Sequence, residues 1–411
     1  MTIHLTATSA NLDDVIVVAY GTANKESLTG SVAVVGSKDI EDRPVTSVTT
    51  ALEGNAPGVM VNNSTTQPGE SASIRVRGFS SINGNNSALV IVDGTEYVGD
   101  ISALNPNDIE SMSVLKDAAS CALYGNRGAN GVVLITTKKA KNIGTIDVTL
   151  QIRQGVYERG LSQYDRLDQN DWMQTAFNAQ VNGSMTAQKW DKQTAIDYWR
   201  NNFISTFTRL NIYDADDDKV FNQQGLLDAS VLPGYTGEDM DWWKGVSRTG
   251  HRQEYSVSMA GATEKFNAFA SAGYLKENGY VLLTDFERFN GRVNLNANPV
   301  SFLKLGVNLS AAQTESQRSP LDPDNLGVTI NPFSMTQNKA PIYPYYLHDS
   351  KGNIVYDEDT NEPVWNLEPY NSDGNIVWNI REDRRNFSVT QLDASVYGLS
   401  LIHISEPTRR T

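Results

Sequence analysis

From residue 143 onward the chain alternates apolar and polar residues over long runs, a pattern with the wrong period for a helix. Residues 145–156 set Ile146, Val148, Leu150 and Ile152 against Asp147, Thr149, Gln151 and Arg153. Period two puts each set on its own face of an extended strand. Residues 254–261 repeat it, with Tyr255, Val257 and Met259 against Ser256, Ser258 and Ala260, as do 266–274, 288–298, 302–311 and 386–396. In the fifth run Leu303, Leu305, Val307 and Leu309 share a face. The connections at 261–265 and 298–301 are tight, whereas 157–253 and 313–385 are long and rich in Trp, Tyr, Asn and Asp. Short turns on one side and long loops on the other is the arrangement of a transmembrane antiparallel β-barrel. A soluble sandwich has no reason to segregate its connections by length.

Composition narrows the classes further. A chain of 411 residues that is 39% hydrophobic can hold two or more domains and bury a core. The longest aliphatic run, Val15 to Val18, is far too short for a membrane helix, which leaves a barrel open because its strands give no long apolar run. A formal charge of −14 argues against a nucleic-acid partner. Cys121 is the single cysteine and the four histidines form no zinc-type spacing, so neither an internal disulfide nor a metal centre is expected. Asp214, Asp216, Asp217 and Asp218 lack the glycine and distal glutamate of a calcium loop, and no phosphate-cradle motif occurs. No nucleophile, base and acid set can be assembled, so neither enzymatic activity nor a cofactor is expected.

Residues 28–139 form a different unit of short elements. Strands are expected at 31–35, 73–77, 111–116 and 132–137, and a short helix at 48–53 stopped by Gly54. Residues 89–92 and 95–98 flank Asp93-Gly94, the signature of a type I′ hairpin. Asp117 is placed to cap a helix over 118–124, with Gly125 just past its end.

The motifs of this unit occur in a fixed series. Ser73-Ile-Arg-Val-Arg-Gly78, Ser81-Ile-Asn-Gly-Asn-Asn86, Val90-Ile-Val-Asp-Gly94 and Leu104-Asn-Pro-Asn-Asp-Ile-Glu-Ser111 come first. Val114-Leu-Lys-Asp-Ala-Ala119 and Ala122-Leu-Tyr-Gly-Asn-Arg-Gly-Ala-Asn-Gly-Val132, leading into Ile135-Thr-Thr-Lys-Lys139, complete it. In that order they resemble the plug domain of SusC/RagA-type TonB-dependent outer-membrane transporters. Looser likeness continues through Asp241-Trp-Trp243, Arg248-Thr-Gly250 and residues 258–274. The resemblance implies a mainly β chain with a small α+β plug, followed by the beginning of a transmembrane antiparallel barrel that is incomplete here. It divides the chain into a tether at 1–27, a plug at 28–142 and part of a barrel with long extracellular loops at 143–398. Such barrels have about 22 strands, so the six runs found are not expected to insert on their own.

The resemblance also implies site residues and partners. Asp14, Val15, Ile16, Val17, Val18 and Tyr20 are similar to the TonB box, an extended segment suited to strand addition on TonB, which works with ExbB and ExbD. The plug motifs contribute Arg75, Arg77, Gly78, Asp93, Gly94, Lys116, Asp117, Tyr124, Gly125, Arg127, Gly128 and Gly131. Their glycines, with Gly84, permit tight reversals; Arg75, Arg77 and Arg127 could pair with acidic groups on a polar inner wall, but residue by residue the expectation is that the glycines only make turns and the arginines only solvate a face. A SusD-like surface lipoprotein, an oligosaccharide or peptide substrate and outer-membrane lipid complete the implied partners. A siderophore or cobalamin receptor, and a secreted carbohydrate-binding β-protein, are the alternatives. Trp172, Trp190, Trp199, Trp242 and Trp243 are expected to pack in the loop core or an interface rather than stack on sugars. Two expectations concern the ends: the first residues lack the charged and apolar regions of a secretory signal, and residues 399–411 resemble a translated sequencing adapter.

Overall fold

The computed structural model describes residues 32–41, 45–61, 67–79, 81–82, 86–140, 142–162, 164–318, 331–368 and 374–400, with the backbone of 15–18, 21–24 and 62. Asp14, Tyr20, Gly84 and residues 401–411 lie outside the described residues.

The segment similar to the TonB box is extended, as expected, but it is not a lone strand. β1 (Val15–Val18) pairs antiparallel with β2 (Gly21–Asn24) as a tight hairpin.

The plug contains β3 (Val32–Gly36), α1 (Ser37–Glu41), α2 (Val48–Ala51), β4 (Val59–Asn62), β5 (Ser73–Val76), β6 (Leu89–Val92), β7 (Thr95–Glu96), β8 (Ile109–Leu115), α3 (Ala118–Cys121) and β9 (Val132–Thr137). Its main sheet has the order β3-β8-β9-β6-β7, with β6 and β9 parallel and the other pairs antiparallel, while β4 and β5 form a separate ribbon. β9 reads as an unbroken apolar run because both its faces are covered. Val133 and Ile135 join Val35, Val48, Leu52, Ile74 and Val114 in one core, whereas Val132 and Leu134 join Ile91, Leu115 and Cys121 in another. The Asp93-Gly94 turn has positive φ at both positions, 49° and 86°, as a type I′ turn requires. Asp117 caps α3 by accepting the Ser120 amide at 2.7 Å. That helix is shorter than the sequence suggests, continuing as a 3-10 segment over Ala122–Gly128 that kinks at Gly125.

The six alternating runs form one antiparallel sheet in chain order: β10 (Ile146–Tyr157), β11 (Gly250–Ala262), β12 (Phe266–Asn278), β13 (Asp285–Val300), β14 (Leu303–Arg318) and β15 (Arg385–Ser400). The sheet is open, with β10 and β15 at its edges. Register places the apolar sets in rows on one face, such as Val148, Met259, Ala270, Val293 and Leu309. Ile152, Tyr255, Tyr274 and Phe289 share a row nearer the long loops, where the Tyr255 and Tyr274 rings stack at 6.4 Å between centroids and those of Tyr274 and Phe289 meet tilted at 4.6 Å. Phe266 and Phe302 stand near the tight turns. The nine residues from Phe266 to Tyr274 cover about 27 Å along the strand. At the usual barrel tilt that is about 20 Å along the membrane normal, close to the ~25 Å apolar band of outer-membrane barrels.

The long connections fold rather than wander. Residues 158–249 carry α4 (Gln169–Ala187), α5 (Lys192–Asn202) and α6 (Trp242–Val246), and the second long connection carries α7 (Pro332–Asn338) and α8 (Ile376–Glu382). Phe177, Phe203 and Phe221 interlock as a core that takes in Ile342 from the second connection. The buried side chains of His348 and Asp239 bridge the two at 2.6 Å. Trp242 is fully buried and donates its indole N–H to the Tyr343 carbonyl at 2.7 Å, and Trp199 donates to Ser184 at 2.8 Å. Both tryptophans are therefore loop core.

Candidate functional site at the seam between plug and wall

The face of the sheet opposite the apolar rows is polar, and it carries the plug. Register puts Arg153, Glu254 and Arg288 in one inward row, with Arg252, Glu277 and Phe286 in the row above. A one-residue slip in any strand would scatter these groups. Arg252 is buried and donates from Nη2 to Glu254 at 2.9 Å and from Nη1 to Glu277 at 3.3 Å. The same guanidinium crosses the seam, donating to the Thr46 hydroxyl at 2.8 Å and the Val45 carbonyl at 3.2 Å. The Thr46 hydroxyl also hydrogen-bonds Glu277. Arg288, 1% exposed, brings Nη1 to the carbonyls of Thr46, Ser102 and Leu104 at 3.1, 2.8 and 3.1 Å. Arg153 reaches the Glu41 carbonyl at 2.9 Å and Asn107 at 3.0 Å, and Asn107 in turn donates to Glu254 at 2.6 Å.

β13 continues the contact away from the loops. Arg292 lies 3.5 Å from Asp93, both side chains being buried, and Asn294 donates to the Thr137 hydroxyl at 2.9 Å and the Lys138 carbonyl at 3.0 Å. Asp93 also accepts from the Thr137 amide at 3.0 Å and hydroxyl at 2.6 Å. Asp108, between these contacts, has its carboxyl pushed above the ordinary range by burial, against the opposing pull of Arg292 and Arg288. Burial likewise raises the Tyr97 phenol, reinforced by Asp393. The seam is thus built mainly from hydrogen bonds and paired charges, with the buried side chains of Leu275 and Phe286 on the same inward rows.

Of the plug residues singled out from sequence Asp93 meets the wall, while several others make contacts within the plug. Arg127 pairs with Glu96 inside the plug, Arg75 lies over the Phe79 ring at 4.5 Å, and Lys116 donates to the Pro57 carbonyl at 2.9 Å. Tyr124 packs against the second plug core, and Arg77 has a positive φ of 59°. Among the described residues the charged contacts across the seam come chiefly from wall arginines that reach the plug. Arg153, Arg252, Arg288 and Arg292 were missed as a set. Their signal was present: each is a charge at an inward position of the alternation.

Gly131 is required where it stands. Its φ is +90°, and an added Cβ would come within 2.7 Å of the Val76 Cβ. Gly131→Ala is expected to destabilise the plug by about 2–3 kcal/mol through positive-φ strain and overpacking. Limited proteolysis of the folded receptor should show earlier plug cleavage, and unchanged protection would refute this.

A family model described as the TonB-dependent receptor plug domain matches residues 24–132. The chain is 30% identical over 293 residues to the TonB-dependent receptor SusC of Bacteroides thetaiotaomicron, covering 69% of this chain and 24% of that protein. It is 28% identical to the TonB-dependent receptor P26 of Formosa agariphila, covering 91% of this chain and 32% of that one. A solved chain of the RagAB peptide importer in its open-open state superposes with a TM-score of 0.65 at 26% identity, over 93% of this chain and 40% of that chain. The chain belongs to the SusC/RagA-type TonB-dependent receptors. It spans a quarter to a third of the two curated relatives named. The SusC-type plug is therefore the unit held by the arginine seam, and the open sheet is part of a transporter barrel wall.

Proposed function

We propose that the protein of which this chain forms part imports an oligosaccharide or a peptide across the Gram-negative outer membrane, driven by TonB with ExbB and ExbD and capped by a SusD-like lipoprotein. The observation that carries this is a folded plug held on the polar face of a sheet whose opposite face is apolar and aromatic-collared. Such a sheet suits lipid outside and water inside, and a wide pore needs a block that yields only on demand. Likeness to SusC and to the RagAB peptide importer supports the substrate class. Likeness to the Escherichia coli ferrienterobactin receptor, 33% identical over 152 residues, keeps a siderophore reading as the second. It covers only 33% of this chain.

The test is growth of a strain lacking the gene on panels of oligosaccharides and peptides, and separately under iron limitation. A defect on one glycan or peptide supports the proposal, while a defect confined to iron limitation supports the second reading. Val17→Pro in the complete receptor should abolish energised uptake without lowering its surface abundance, because proline removes a main-chain donor from the strand. Normal uptake by that variant would remove β1 from the TonB contact.

A further inference from the structure

The plug does not meet the wall evenly. On β13 the inward rows nearer the tight turns carry Arg292 and Asn294, which reach the plug directly. On β10, β11 and β12 the row of Arg292 continues as Thr149, Ser258 and Ser271, and the next row toward the long loops begins with Gln151 and Ser256. Most of these side chains are too short to bridge the seam. They leave a cavity of about 350 Å³ between plug and wall, against about 100 Å³ on the other flank, where the Asp93 turn faces β14 and β15. From Asp147 to Gln151 the cavity follows β10 for about 14 Å. Its long-loop end is closed by Asn107, which donates to Glu254 at 2.6 Å and accepts from Arg153 at 3.0 Å. The lining is hydroxyl and amide for the most part, groups that both donate and accept. Phe269 is the one aromatic side chain among its described lining residues. The carboxyl groups of Glu41, Asp108, Glu110 and Asp147 outnumber the ammonium groups of Lys138 and Lys139, so the cavity repels an anion.

We propose that this cavity is a station on the import path, taking a neutral oligosaccharide along β10, β11 and β12 once the plug shifts enough to part Asn107 from Arg153 and Glu254. The inference rests on the import proposed above and narrows its cargo to a neutral glycan. A sugar chain matches the lining because its hydroxyls also donate and accept. It exchanges bonds to water for bonds to short wall hydroxyls at little net change in free energy, so it is neither trapped nor turned away. A peptide with apolar side chains finds little apolar surface here, and an acidic glycan meets the excess of carboxyl groups.

The test fills the cavity from the wall side in the complete receptor and follows uptake by cells of tritium-labelled neutral oligosaccharides, with uronic-acid oligosaccharides and peptides as the comparison arms. Ser258→Trp and, separately, Thr149→Trp should lower uptake of the neutral oligosaccharides by about tenfold or more, because an indole overlapping the passing chain is worth at least one such factor. Surface abundance of the receptor and binding of the same oligosaccharides at the cell surface should not change. Ser395→Trp, which fills the gap on the other flank, should import as the wild type does. Ser258→Cys keeps the native volume, and a bulky maleimide added to the assembled receptor should reproduce the loss. The same treatment of the wild type, whose single cysteine, Cys121, is buried, is the control. Normal uptake by the tryptophan variants or by the alkylated receptor would overturn the route, as would an equal loss in Ser395→Trp. Preferred uptake of the uronic-acid oligosaccharides or the peptides would overturn the cargo class. A wild type that imports none of the three would instead sink the proposed import, and this inference with it.

Discussion

Arg288→Ala in the complete receptor is expected to unseat the plug, lowering its stability by about 3 kcal/mol and opening the pore to leakage. Removing the guanidinium recovers the cost of burying a cation, but it leaves the carbonyls of Thr46, Ser102 and Leu104 without this donor in a seam that otherwise excludes solvent. Hydrogen bonds to a charged donor contribute about 1.5–3 kcal/mol each, and the recovered desolvation offsets only part of that loss. A single nitrogen, Nη1, serves all three oxygens although it carries two hydrogens. A lysine ammonium carries three. Arg288→Lys should therefore retain most of the stability that Arg288→Ala loses. Thermal unfolding in detergent and bilayer conductance read the two consequences separately. Wild-type melting and a closed pore in the alanine variant would show that the Arg288 contacts are not needed to hold the plug.

The fold was legible wherever one local rule decided the conformation. Alternation located each of the six described wall strands, with most ends a few residues short because strand ends project beyond the apolar band, where polar residues at outward positions such as Gln313 and Glu315 break the contrast. Asp93-Gly94 and the Asp117 cap were readable because turn and cap chemistry is local. The helices of the first long connection were not read. α4 buries Met173, Phe177, Val181 and Ser184, a narrow stripe on an otherwise polar helix, and its stability comes from packing against Phe203 and Phe221 far along the chain. The Met173, Phe177 and Val181 spacing with Asp168 as cap was a usable sign. The seam was hidden for a different reason. Charges at inward strand positions say only that the inside is polar, and their partners are set by how the plug docks, which no local pattern encodes.

The polar character of the seam follows from what a movable block requires. An apolar interface of this extent would expose hydrophobic surface to the water-filled pore whenever the plug shifted. Hydrogen bonds and ion pairs can exchange with water instead, so they hold firmly when dry and reform after displacement. The cost is that each buried charge must find its partner on return. Register supplies that precision, since the inward rows of β11, β12 and β13 hold Arg252, Glu277 and Arg288 at fixed spacing.

The contact between Asp93 and Arg292 tests how far that precision matters. Asp93→Ala is expected to cost about 4 kcal/mol, from three sources that one residue combines. It strands the Arg292 cation, 7% exposed, without its carboxylate. It removes the acceptor for the Thr137 amide and hydroxyl. It also places a Cβ-bearing residue lacking a compensating side-chain bond at a φ of 49°. Asp93→Asn keeps the turn and one oxygen for the Thr137 amide, but it loses the charge and puts an amide donor where Oδ2 meets the Thr137 hydroxyl and Arg292, so about half the cost should remain. If the stranded cation dominates, the double variant Asp93→Ala with Arg292→Met should be more stable than Asp93→Ala alone. Thermal unfolding of the wild type, Asp93→Ala, Arg292→Met and the double variant completes the cycle. A double variant no better than the single one would assign the loss to the turn and to Thr137, and would mean that this part of the seam is held by backbone geometry rather than by charge.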